Sequence, residues 1–176
     1  MTNNLQLKIG VGLILLVATF FIYPQVQDHN FINFDDDLYI TDNLNVQAGL
    51  TSESFIWSFT TSHPPYWHPI TWLSHMLDYQ LYGNDPAGHH LTSLILHIAN
   101  ALLLFLVFFR MTGEAWKSGC VAALFAFHPL NVESVTWISE RKNVLSLFFF
   151  LLTLVAYTQY VNNKRLNTYL LVFFFF

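Results

Sequence analysis

Three long apolar stretches of this sequence carry no charged side chain: Ile9 to Tyr23, Leu91 to Phe109 and Val144 to Tyr160. Each approaches the roughly 20 residues that a helix needs to cross the hydrocarbon core of a bilayer. A fourth apolar run, Trp116 to Leu130, is shorter and holds Lys117 near its start. A fifth begins near Thr168 and ends the sequence in Phe173-Phe174-Phe175-Phe176. The expected architecture is an all-α, multi-span transmembrane bundle. Spans fall at about 9–23, 91–109, 116–130 and 144–160, with a fifth started over 168–176. A span broken off so early reads as the N-terminal fragment of a longer protein. Lys8 followed by an apolar run also has the form of a secretory signal. Tyr23-Pro24-Gln25 is too bulky for a small-x-small cleavage site, so an uncleaved span is expected.

Composition agrees. Hydrophobic residues make up 54% and charged residues 10%, against about 25% charged in soluble domains. A disordered chain needs few apolar residues and much charge. A nucleic-acid module needs a basic surplus, and the formal net charge is -4. Cys120 is the single cysteine, which argues against a disulfide scaffold.

The segment between the first two spans, residues 24–90, holds eight of the eleven acidic residues and six of the eight His, with no Lys or Arg. Basic residues favour cytoplasmic loops, so this loop is expected outside. With four spans, Lys8, Arg110, Lys117, Lys164 and Arg165 fall inside, and Arg141 and Lys142 fall outside. Without the 116–130 span the count is again five against two, so charge does not decide it. The loop carries helix signals. Thr51 or Ser52 can cap a helix entering Phe55, Ile56 and Phe59. Pro69 can open another that runs through Leu73, Met76, Leu77 and Leu81 to a stop at Gly83. Its apolar spacing suits a helix lying on a membrane or on the bundle.

Asp35-Asp36-Asp37, about a dozen residues beyond the first span, is the sharpest chemical feature. Adjacent carboxylates repel unless a cation or a donor compensates them. One could serve as a general base toward a hydroxyl. Asp35 and Asp37 could also hold Mg²⁺ or Mn²⁺ through oxygen, and a solvated acidic turn is the bland alternative. His63, His68, His75, His89 and His90 fit no metal signature such as HExxH; His75 and Asp78 share one helix face. His97, inside a span, is a functional candidate by position, or a helix–helix hydrogen bond near Asn100. From His128 to Asn143 both charge signs mix around Trp137, and Val132, Val135 and Ile138 repeat at three residues, as in a short interfacial helix. Arg141 and Lys142 on the outside invite a phosphate partner, or anchor lipid headgroups beside Glu140.

The string Phe31-Ile32-Asn33-Phe34-Asp35-Asp36-Asp37-Leu38-Tyr39-Ile40-Thr41-Asp42-Asn43 resembles the first outer loop of GT-C-fold membrane glycosyltransferases. It is most similar to that of the transmembrane and tetratricopeptide-repeat-containing O-mannosyltransferases and their bacterial relatives. Trp67-His68-Pro69-Ile70-Thr71-Trp72-Leu73, Gly88-His89-His90-Leu91 with His97 and Asn100, and His128-Pro129 through Glu133 to Arg141-Lys142-Asn143 follow in the same order. Asn143 stands where relatives often carry Asp, and the tetratricopeptide repeats and later spans are absent. The resemblance implies a transferase that moves a sugar such as mannose from a polyprenyl-phosphate carrier to a hydroxyl of a protein or peptide acceptor. Asp35 and Asp36 take the place of the catalytic pair, with Asp37 extra. His128, Glu133, Arg141 and Lys142 would serve the donor phosphate. Asp37, His68, His90 and His97 are further candidates. A multi-pass protein of the inner (plasma) membrane is implied if the source is bacterial, and an isolated fragment should be inactive. The rival class is a non-catalytic membrane subunit, or a transporter-like protein with an acidic outer binding loop; the broken or repeated helices of a transporter are not evident.

Overall fold

The computed structural model describes residues 2–61 and 67–176, so His63 lies outside the described residues. Among them every regular element is helical. In chain order these are α1 (Thr2–Ile22), α2 (Leu44–Gln47), α3 (Ser52–Thr60), α4 (Pro69–Tyr82), α5 (Pro86–Thr112), α6 (Ala115–Phe127), α7 (Val132–Thr136), α8 (Arg141–Asn163) and α9 (Leu166–Phe175). Tight turns at Pro24–Asp28, Pro129–Asn131 and Ile138–Glu140 and a π-helical turn at Asp37–Thr41 link them. Three helical segments are long and apolar enough to cross a membrane, Leu5–Asp28, Pro86–Thr112 and Ile138–Asn163. The protein is therefore an all-α membrane protein.

The helix ends depart from the apolar runs for local reasons. Asp85 accepts from the Ala87 backbone N–H at 3.1 Å and Pro86 takes the first helical position, so α5 starts before Leu91 and includes His89 and His90. The 116–130 run forms only the 13-residue α6. At 1.5 Å per residue that is about 20 Å, short of the roughly 30 Å hydrocarbon core. Pro129 ends it, because proline disfavours helical geometry at the preceding His128.

The chain divides into two compact units. The first is Met1–Pro24, Leu94–Val132 and Asn143–Phe176. Val11 and Leu15 of α1 pack there with Phe105 of α5 and Ala122 of α6. The Val11 side chain of α1 packs directly on Gly119 of α6, where a Cβ would lie 2.7 Å from Val11 Cγ1. Polar side chains in this apolar unit bond to helix carbonyls: Tyr23 Oη donates to Ala126 O, His97 Nε2 lies 3.0 Å from the same oxygen, and Asn100 Nδ2 donates to Val144 O at 2.8 Å.

The second unit is Gln25–Ser93 and Glu133–Lys142. Its core joins Tyr39, Ile40, Val46, Trp72, Met76 and Ile138, with the Tyr39 and Trp72 rings stacked at 4.7 Å. Thr51 and Ser54 cap α3 reciprocally. Pro69 opens α4, and Gly83 closes it at φ 63, a left-handed value that glycine adopts without strain. These are the ends expected from the sequence.

Candidate functional site

All of the site's principal residues belong to the second unit. The acidic triplet is split by its own backbone. Asp36 is 1% exposed. Its Oδ2 accepts from the Ile32 N–H at 2.9 Å, and its Oδ1 accepts from the Ser139 N–H at 3.0 Å and from the Ser139 hydroxyl. Three donors thus compensate the middle carboxylate, and they tie the first loop to the turn before α8. Asp35 and Asp37 stay half-buried; Asp37 Oδ1 accepts from the next backbone N–H, that of Leu38. The Asp36 carboxylate is thus committed to structure on both oxygens. Asp35 is the half-buried member of the expected pair.

Ser139 is shared. Its carbonyl oxygen accepts from Lys142 Nζ at 3.3 Å, and Lys142 also pairs with Glu140. The triplet and a cation are therefore linked through one residue. Arg141 sits differently from an outward donor ligand. It is fully buried. Its guanidinium donates to Asp78 through Nη1, to Ser93 Oγ through Nε and to the His89 carbonyl oxygen through Nη2. Asp78 Oδ1 accepts from Thr92 Oγ1 at 2.8 Å.

His68, at the N-cap of α4, is half-buried. Burial lowers its pKa, helped by the charge of Lys142 and opposed by that of Glu140. His75 is fully buried, which holds it well below the ordinary imidazole value, with Arg141, His89 and Lys142 adding to the effect. His90 is buried with its ring edge-on to His29 at 6.1 Å. In the first unit, His97 is spent on Ala126, and His128 Nδ1 accepts from the Leu130 N–H as a turn cap. Glu133 is exposed at the first turn of α7. Among the described residues, Asp35 and Asp37 belong to no group of three convergent metal-ligand side chains. Among the described residues such a group is His75, Asp78 and His89. Sequence reading placed His75 and Asp78 on one face, but gave no sign that His89, Ser139 and Arg141 would join them or Asp36; those partners come from distant parts of the chain.

No family model matches the chain, and no solved structure matches it. Curated proteins do. The chain is 29% identical over 175 residues to protein O-mannosyl-transferase TMTC4 of Mus musculus, covering 86% of this chain and 23% of that protein. It is 31% identical over 134 residues to protein O-mannosyl-transferase TMTC3 of Homo sapiens, covering 72% of this chain and 14% of that one. It is 36% identical over 107 residues to protein O-mannosyl-transferase tmtc2 of Xenopus laevis, covering 58% and 12%. The chain spans less than a quarter of the length of these relatives. Similarity along most of the present sequence, in an all-α membrane protein with the acidic loop described above, makes this chain a relative of the protein O-mannosyl-transferases.

Proposed function

We propose that this chain forms the catalytic end of a membrane glycosyltransferase that moves a sugar, mannose by analogy with the relatives' names, from a polyprenyl-phosphate carrier to a hydroxyl of a protein or peptide acceptor. The observation that carries the reading is the Ser139 junction, where Asp36 and Lys142 meet one residue. Asp35 takes the acceptor proton while the hydroxyl oxygen bonds to the sugar C1. The bond from C1 to the carrier phosphate breaks, and the phosphate leaves with its electron pair. Lys142 meets that charge. Asp36 fixes the loop that presents Asp35. Arg141 acts on the site indirectly, through Asp78. His128 and Glu133 remain expectations for the donor side.

The proposal includes a multi-pass topology with residues 24–90 outside. The absence of Lys and Arg from that loop supports the orientation. The Asp36–Ser139 and Asp78–Arg141 contacts support placing residues 133–142 on the same side as the loop. The test is transfer from a polyprenyl-phosphate sugar to a peptide by the native-length protein. Asp35→Asn is expected to lower the rate by about 10²–10⁴-fold, as removal of a general base does. Undiminished transfer by Asp35→Asn would discard the assignment. Activity that falls equally in Asp35→Asn and Asp37→Asn and disappears with chelator would favour the alternative in which these two carboxylates hold Mg²⁺ or Mn²⁺ through oxygen.

A further inference from the structure

Buried polar atoms normally find hydrogen-bond partners. His75 is fully buried, yet neither ring nitrogen has one among the described residues. One helical turn along, Asp78 is 1% exposed, and its Oδ2 lies 3.6 Å from His89 Nδ1. The other nitrogen of that ring, Nε2, lies 3.1 Å from the Gly83 carbonyl oxygen. A carbonyl only accepts, so Nε2 carries the proton, and in the neutral ring Nδ1 bears a lone pair. That lone pair faces a carboxylate oxygen. Two electron-rich atoms so close repel unless something positive lies between them. Arg141 is not that group: its three contacts go to Asp78, Ser93 and the His89 carbonyl, and none goes to a ring nitrogen.

We propose that His75, Asp78 and His89 form a binding site for a first-row divalent transition-metal ion of the zinc type. Each offers one ligand atom, and the three atoms lie within 4.8 Å of one another. A modest contraction reaches the separation of about 3.3–3.5 Å set by metal–ligand bonds of about 2.0–2.2 Å. Two imidazoles and one carboxylate suit zinc, cobalt, nickel or copper, whereas Mg²⁺ and Ca²⁺ take oxygen ligands. The Gly83 carbonyl fixes the His89 tautomer, as outer partners do for metal-ligating histidines. Arg141 donates to Asp78 Oδ2, the oxygen that faces His89, and Thr92 donates to Oδ1. A carboxylate oxygen has two acceptor positions, so the guanidinium and the ion can share Asp78; its positive charge limits the affinity. Three protein ligands leave the fourth position of a tetrahedral ion open. The site is separate from the acidic triplet and does not depend on the transferase reading.

The experiment is a titration of the full chain in detergent micelles, stripped with chelator and dialysed, using Co²⁺ alone as the probe. The expected result is about one ion per chain, with the intense visible absorption of four-coordinate cobalt and displacement by Zn²⁺. His75→Ala and His89→Ala should each weaken binding by about tenfold or more, and Asp35→Asn should not. Should the alanine variants fold poorly, His75→Cys supplies a substitute ligand. It should keep binding and add a thiolate-to-cobalt charge-transfer band, which a lost or different site cannot give. No cobalt bound by the wild-type chain would overturn the site. So would binding undiminished in both histidine variants, binding lost in Asp35→Asn alone, or a folded His75→Cys protein without the new band.

Discussion

Arg141 begins α8 with its charge turned inward, onto a carboxylate 63 positions earlier in the chain. Arg141 beside Lys142 suggests an external anion from the sequence; the structure supplies an internal one, Asp78. Both partners are out of water, so the pair differs in kind from Lys117–Glu114, where both side chains are more than half exposed and the contribution is about 0–1 kcal/mol. Arg141→Ala leaves Asp78 buried and uncompensated, and should destabilise the second unit by about 3–5 kcal/mol. Reversible unfolding in detergent measures this, and a loss below about 1 kcal/mol would contradict the buried-pair geometry. His68 gives the second residue-scale prediction. Its folded pKa lies below its unfolded value, because burial and Lys142 disfavour the imidazolium. A positive charge at the α4 N-terminus would also oppose the helix dipole. Near and below the unfolded imidazole pKa of about 6.5, the unfolded chain binds the proton that the folded one refuses, so stability falls as the pH drops. The wild-type protein should lose stability on acidification through that region, and His68→Gln should flatten the dependence. An unchanged slope in the variant would remove His68 as a source.

At the scale of elements, helices whose ends are local events were legible and those whose ends are set by partners were less so. Thr51 before α3, and Pro69 and Gly83 around α4, act through their own backbone geometry, so the sequence alone located them. The start of α5 moved to Pro86 because Asp85 caps it, a signal present but outvoted by the apolar run that begins at Leu91. In the candidate site, the acidic loop was legible as a cluster. Its division into a tethered Asp36 and a half-buried Asp35 was not, since the tether to Ser139 spans 103 positions. The pairing of α1 with α6 is likewise invisible in one dimension, although Gly119 records it. A side chain there meets Val11 at a distance that real Cβ atoms do not tolerate. Gly119→Val should therefore overpack the contact and cost about 1–3 kcal/mol. Gly10 has nothing within 4 Å of its would-be Cβ, so Gly10→Ala should be neutral or slightly stabilising, as expected for alanine in a helix. Equal thermal stabilities of Gly119→Val and wild type in detergent would show that the two helices do not meet as described.

At the scale of the whole molecule, the decisive question is how many times the chain crosses the bilayer. Length and hydropathy select three segments and leave out α6. Hydrogen bonding argues the other way. Asp36 holds Ser139 and Asp78 holds Arg141 within one compact unit, so residues 25–93 and 133–142 must share a side of the membrane. If the 27-residue α5 crosses the bilayer, as its length and hydropathy allow, the chain has to return before residue 133. Only α6 and its flanks lie between. A 13-residue helix can make the return if its ends are completed by the turn at Pro129–Asn131 and the polar link at Gly113 and Glu114, or if the bilayer thins locally around it. Accessibility labelling tests this directly. With Cys120 replaced by Ser, single cysteines at the exposed positions Asn33, Glu114 and Glu133 report three loops. Asn33→Cys and Glu133→Cys should react with an impermeant reagent from the same face, and Glu114→Cys only from the opposite one. Reaction of Glu133→Cys from the Glu114 side would mean that α6 does not cross. In an intact protein the Asp78–Arg141 pair could not then form, and the junction between the acidic loop and Lys142 would fall with it.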